Sequence, residues 1–213
     1  MTGNREDYIK AIYELGGKEN RISTKDIAFA LNISPPSVSE MIKKLVEEGY
    51  LEYELYKGVM LTRKGFDEAF RIKKRHLLWE VFLVDKLGYA WEDVHEEAEV
   101  LEHITSPKLE EHLDKFLGYP KVCPHGTPLE DYRYTTETYS LDNMIIGESI
   151  IIKRIEDEKN ILRFVNDIEL KIGDLVEITN RSPDGIVRVE KDNVSIDIEK
   201  NLAEKIYVES LVV

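Results

Sequence analysis

A chain of 213 residues, 42% hydrophobic and 33% charged, carries enough apolar surface for packed cores, and this excludes a globally disordered protein. No run approaches the roughly 18 apolar residues of a membrane span, and MTGNREDYIK is charged where a secretory signal is apolar, so the expected location is cytoplasmic, with no membrane partner. The formal net charge of -13 argues against nonspecific coating of nucleic acid, but residues 1–75 carry 14 Lys and Arg against 12 Asp and Glu, whereas residues 76–213 carry 15 against 30. Such asymmetry points to a nucleic-acid module followed by a regulatory one.

In NREDYIKAIYEL, Tyr8, Ile9, Ile12, Tyr13 and Leu15 recur at helical spacing, and Gly16-Gly17 ends the helix. Ser23 and Thr24 offer an N-cap to KDIAFALN. Ser34 caps the next helix, with Pro35 in its first turn and Val38, Met41, Ile42 and Leu45 as its apolar stripe. Two short helices around a tight turn form a helix-turn-helix, and LEYELYKGVMLT alternates about Lys57-Gly58 as a hairpin, which makes the wing.

From Thr62 a long helical pattern runs to Gly88, followed by WEDVHEEAEVLEHI and KLEEHLDKFLG as two further helices. Their heavy apolar content suggests packing against a second subunit as well as within the chain. YPKVCPHGTPLEDYRYTTET has three of the seven prolines and reads as a linker. IIGESIIIKRIED, ILRFV, DLVEITN, GIVRVEK and VSIDIE read as short strands of a small β-barrel, and NLAEKIYVESLVV closes the sequence. The expected fold is mainly α with small β parts. The expected domains are a winged helix-turn-helix at 1–74, a helical dimerisation and metal-binding domain at 75–120, a linker at 121–143 and a barrel at 144–213.

The outward positions of the recognition helix are Pro36, Ser37, Ser39, Glu40, Lys43 and Lys44, with no Arg, Asn or Gln for bidentate base contacts. Base reading by these residues is therefore sparse. Ser34, Lys43, Lys44, Lys57, Arg63 and Lys64 suit backbone contacts that set register on double-stranded DNA, and Glu40 suits a cytosine amino group. Docking to a protein is the competing use of such a fold.

His95, Glu99, Glu102 and His103 approach one face of their helix, where carboxylates and imidazoles can ligate a divalent ion, and a solvated acidic face is the competing reading. HEEAE lacks the second histidine of the H-E-x-x-H zinc-protease motif, and neither a nucleophile motif nor a glycine-rich phosphate loop is visible, so no catalysis and no small organic substrate are expected. His76 and Glu80 form a second pair four residues apart. The lone cysteine, Cys123, excludes an intrachain disulfide, and with His125 it offers a thiolate and an imidazole that need ligands from elsewhere to hold a metal.

EDYIKAIYEL, ISPPSVSEMIKKL, EVFLV, HEEAEVLEH and GYPKVCPHG together resemble the diphtheria toxin repressor family of metal-dependent transcriptional repressors, in its longer manganese-responsive, manganese transport regulator branch. The resemblance spans essentially the whole chain. It implies a homodimer that binds operator DNA and controls metal uptake genes, with Mn²⁺ as corepressor and a C-terminal barrel of Src-homology type.

It also implies a primary metal site of Asp7, Glu99, Glu102 and His103, and a secondary one drawn from Glu80, Cys123 and His125, with His76 and His95 as further candidates. Iron-responsive relatives carry Met at the Asp7 position and Cys at the Glu99 position, and replacing sulfur by oxygen favours the harder Mn²⁺. Shorter manganese relatives have a Glu where this chain has Lys10, which argues against their paired-metal cluster. Close relatives place an acidic ligand where this chain has Asn160, with Asp157 and Glu158 nearby, so a weaker secondary site is expected, with Cys123 favouring Zn²⁺ or Cd²⁺. The alternatives are an Fe²⁺-responsive repressor and a metal-independent winged-helix regulator that senses an organic ligand.

Overall fold

The computed structural model describes residues 5–129 and 138–211. The chain divides into two compact units, one reaching to His76 and including Glu102–Thr105, the other holding Leu77–Leu101 and the described residues from Ser106 onward.

In the first unit, α1 (Arg5–Glu14), α2 (Thr24–Ala30) and α3 (Pro35–Glu47) precede the hairpin of β1 (Leu51–Glu54) and β2 (Gly58–Leu61). The caps are those expected from sequence: Ser23 accepts from the Asp26 amide and Ser34 from the Ser37 amide, with Pro35 where a missing N–H is harmless. Ile9, Ile12, Ile27, Val38, Leu45 and Val59 are fully buried around one core. The hairpin pairs Leu51 with Leu61 and Glu54 with Gly58, and Ile22 bridges to Val59. Gly58 permits this. Its φ is +101°, and a Cβ there would lie 2.2 Å from the Ile22 carbonyl oxygen.

The long helix α4 (Arg63–Leu87) follows, then a 3₁₀ turn at Trp91–Asp93, then α5 (His95–Ile104) and α6 (Pro107–Phe116). WEDV is thus separate from the helix that starts at His95. In the second unit, Leu77, Leu78, Val81 and Leu113 pack with Cys123 and Leu129, so the start of the expected linker joins the core of the helices.

The sheet has six antiparallel strands in the order β3-β8-β4-β5-β6-β7. These are β3 (Tyr139–Ser140), β4 (Ser149–Ile155), β5 (Leu175–Arg181), β6 (Val187–Lys191), β7 (Val194–Ile198) and β8 (Ile206–Ser210), with α7 (Lys159–Asp167) after β4 and α8 (Lys200–Ala203) before β8.

Two further expectations are corrected. ILRFV is not a strand but the core of α7, because Ile161, Leu162 and Val165 bury a helical stripe that continues to Ile168, a period a five-residue window cannot reveal. The sheet also begins inside the stretch expected as linker, since Tyr139 pairs with Val208 and Ser140 with Tyr207. Part of that stretch, residues 130–137, lies outside the described residues.

Candidate metal centres and DNA-binding face

The first cluster forms where α1 meets the last turn of α5. His103 Nε2 lies 2.9 Å from Asp7 Oδ1 and 3.5 Å from Glu102 Oε1, while its Nδ1 lies 2.9 Å from Glu6 Oε2. Glu6 in turn faces Arg75 at 3.8 Å. Glu102 is fully buried, and Lys10 Nζ donates to both of its oxygens at 2.9 Å each. His76 Nδ1 lies 2.7 Å from Glu102 Oε2; since a carboxylate only accepts, this nitrogen carries the proton.

Of the primary residues expected from sequence, Asp7, Glu102 and His103 therefore come together, and Glu99 sits three residues before Glu102 on the same helix. His76, expected with the secondary set, bonds to Glu102. Glu6 and Lys10 had no assigned ligand role. Both stand in α1 near Asp7, and the i,i+3 spacing from Asp7 to Lys10 is the one local signal that they share a face.

The second cluster is buried more deeply. Ligand atoms of Glu80, Cys123 and His125 lie within 4.8 Å of one another. His125 Nδ1 is 3.3 Å from Glu80 Oε2 and 3.8 Å from Cys123 Sγ, and Nε2 donates to the Trp91 carbonyl at 2.8 Å. A carbonyl that fixes one ring nitrogen aims the other at the cluster, as in many metal-binding histidines. The CPHG turn reaches this place because Ile155 N–H donates to the His125 carbonyl at 2.9 Å and Gly126, at φ +83°, presses on β4, where a Cβ would lie 2.0 Å from the Lys153 carbonyl oxygen.

Burial pushes the Cys123 thiol up, and the nearby Glu80 carboxylate adds to this. For His125 burial works the other way, but hydrogen bonds to Cys123 and Glu80 prevail and hold it up at about 11. Both groups therefore hold protons in the metal-free protein, and a metal has to displace them.

His95 Nδ1 meets Asp157 Oδ2 at 2.5 Å, and Asp157 Oδ1 lies 3.8 Å from His125 Nε2. Among the acidic positions near Asn160, it is thus Asp157 that approaches the histidines. Glu158 pairs with Lys205, and Asn160 is exposed in the first turn of α7.

The donor sets fit divalent cations. Carboxylate oxygens and imidazole around His103 suit a hard ion such as Mn²⁺, and the thiol of Cys123 makes the second cluster softer.

On the recognition helix, Ser34, Pro36, Ser37, Ser39, Glu40, Lys43 and Lys44 are all exposed. Lys44 pairs with Glu40 at 3.0 Å, Lys57 with Glu54 at 2.6 Å and Arg63 with Asp67 at 3.0 Å. Exposed pairs of this kind are worth little and are readily exchanged for phosphate. Lys64 instead donates to the Glu48 carbonyl and covers the Tyr50 ring at 4.0 Å.

A winged helix-turn-helix together with two clusters of side chains able to ligate a metal defines a metal-responsive DNA-binding regulator. Residues 1–59 match the N-terminal DNA binding domain of the iron dependent repressors, residues 62–130 their metal binding and dimerisation domain, and residues 139–210 the FeoA domain. The chain belongs to the iron-dependent repressor family, whose members are transcriptional repressors. It is 40% identical over 102 residues to the HTH-type transcriptional regulator MntR of Geobacillus kaustophilus, which spans 48% of this chain and 72% of that one. A manganese-dependent transcriptional repressor solved with manganese superposes with a TM-score of 0.88 at 32% identity, covering 98% of this chain and all of that one. The manganese regulator SloR superposes with a TM-score of 0.78 at 39% identity, over 99% of this chain and 100% of that one.

Proposed function

We propose that this chain is a cytoplasmic, homodimeric, Mn²⁺-activated repressor of metal uptake genes, in which the metal is a corepressor and no reaction is catalysed. The observation that carries this reading is the approach of His103 on α5 to Asp7 on α1 at 2.9 Å. The same ion can then be held by the helix that opens the DNA-binding domain and by the helix that carries Glu99, Glu102 and His103. When bound, Mn²⁺ would supply a positive centre shared by the Asp7 and Glu102 carboxylates and the His103 imidazole.

Asp7 ties that centre to α1, whose apolar face packs with α2 and α3 in one core. Restricting α1 restricts α3, and in a dimer the two copies of α3 then keep a separation near one DNA turn, roughly 34 Å. Support for the dimer comes from α5, where Val100 and Ile104, four residues apart, are 63% and 72% exposed. The metal acts by population shift, because it favours the state whose recognition helices match DNA. Oxygen-rich ligation favours Mn²⁺ as the physiological ion, while Cys123 makes the second cluster receptive to Zn²⁺ or Cd²⁺.

The test is to select binding sites from a random duplex pool with Mn²⁺ present, then titrate one selected duplex with and without a chelator. Binding that appears with Mn²⁺ and vanishes with the chelator is the expected result, and affinity indifferent to both overturns the proposal.

A further inference from the structure

Lys10 is a buried charge that the metal-site reading leaves without a role. It follows Asp7 by three residues on α1, and its side chain is 6% exposed. Its ammonium is bidentate on Glu102, a carboxylate with no exposed surface, and lies 3.5 Å from the His76 nitrogen that donates to the same carboxylate. An anion taken out of water needs a compensating cation close by, whether or not metal is available. Here the chain itself supplies it. A divalent ion that uses Glu102 must share its lone pairs with this ammonium and stand close to a like charge, an interaction that water screens poorly at a buried site.

We propose that Lys10 is a tethered competitor for the metal: it neutralises Glu102 when metal is scarce and raises the Mn²⁺ concentration at which the Asp7–Glu102–His103 cluster fills. The role follows from the position of a fixed charge. It rests on the reading of that cluster as the primary metal site, and it gives the repressor a built-in threshold below which the cluster stays free of metal.

The experiment is a Mn²⁺ titration of the full-length protein against a fluorescent chelator, with wild type, Lys10→Gln, Lys10→Arg and Asp7→Ala side by side. Removing a positive charge beside a divalent ion should let Lys10→Gln fill the cluster at about tenfold lower free Mn²⁺. Lys10→Arg, which keeps the charge, should stay within about twofold of wild type.

Melting supplies a readout that does not depend on DNA. Metal-free Lys10→Gln should melt below metal-free wild type, and saturating Mn²⁺ should close most of that gap. A variant that folds only when Mn²⁺ is present gives the same support, and Lys10→Met repeats the test with the unbranched stem retained. Equal or weaker Mn²⁺ binding by both neutral variants overturns the proposal and makes Lys10 a positioning residue for Glu102. If Asp7→Ala keeps wild-type affinity, the metal-site reading fails; if Asp7→Ala loses Mn²⁺ while Lys10→Gln is unchanged, only the competitor role fails.

Discussion

Both clusters combine carboxylate with imidazole, but only the second adds a thiol, and they solve opposite problems. Around His103 the donors are oxygens and imidazole at the edge of solvent, with His103 19% and Asp7 27% exposed. Around His125 they are a thiol, an imidazole and a carboxylate, all buried. A largely buried, oxygen-rich set competes for its metal against water at its edge and against a neighbouring ammonium. A buried sulfur-containing set competes against the protons that burial and local charge place on Cys123 and His125. The contrast suits the first cluster to a hard ion such as Mn²⁺ and the second to a softer one.

The largest expected effect breaks this contrast at its first member. Asp7→Ala or His103→Ala should abolish Mn²⁺-dependent operator binding in a titration, while circular dichroism and sedimentation still report a folded dimer. Glu102→Ala should behave differently from either. It strands Lys10 as a buried cation, and losing one partner of a buried pair costs about 3–5 kcal/mol, so urea denaturation should show a large loss of stability as well as of metal response. Glu102→Gln retains a hydrogen-bond acceptor for Lys10 and should fall between wild type and Glu102→Ala in the same assay.

Cys123→Ser tests the second member. It should lower the measured metal stoichiometry and the preference for Zn²⁺ over Mn²⁺, yet weaken operator binding only in part, because Asp7 and His103 are untouched.

The protons on this cluster give a pH dependence. His125 is raised from 6.5 to about 11 and Cys123 is raised as well, so in the metal-free protein both favour the folded state at low pH, and this contribution fades as pH rises from 6.5 toward 11. Melting of chelator-treated protein should therefore decline across that window, and Zn²⁺ should oppose the decline. The smallest effect is a control outside both clusters: Lys43→Ala should weaken binding about equally across DNA sequences and lower the salt slope by about 1, with metal affinity unchanged.

What sequence revealed follows the range of the interactions involved. The caps at Ser23 and Ser34, the stripe of α3 and the Gly58 wing are local and were legible from spacing. So were Glu102 and His103, which share one turn. Lys10 was visible only as the absence of a carboxylate, because its burial is decided by a partner 92 residues away. The second cluster's reach to Asp157, rather than to Asn160, likewise depends on how the segment after β4 turns, and His76 was read with Glu80, four residues away, although it bonds to Glu102, 26 residues away. ILRFV misled because a short apolar run fits a strand and a helix equally well.

The proposed coupling between metal held at Asp7 and His103 and DNA held at α3 is, by linkage, measurable from either side. The direct measurement is the Mn²⁺ affinity of the full-length protein with and without saturating operator duplex, beside the operator affinity with and without Mn²⁺. DNA should tighten Mn²⁺ binding by the same factor by which Mn²⁺ tightens DNA binding, and Asp7→Ala should remove both effects. A Mn²⁺ affinity that is the same with and without DNA would contradict the coupling.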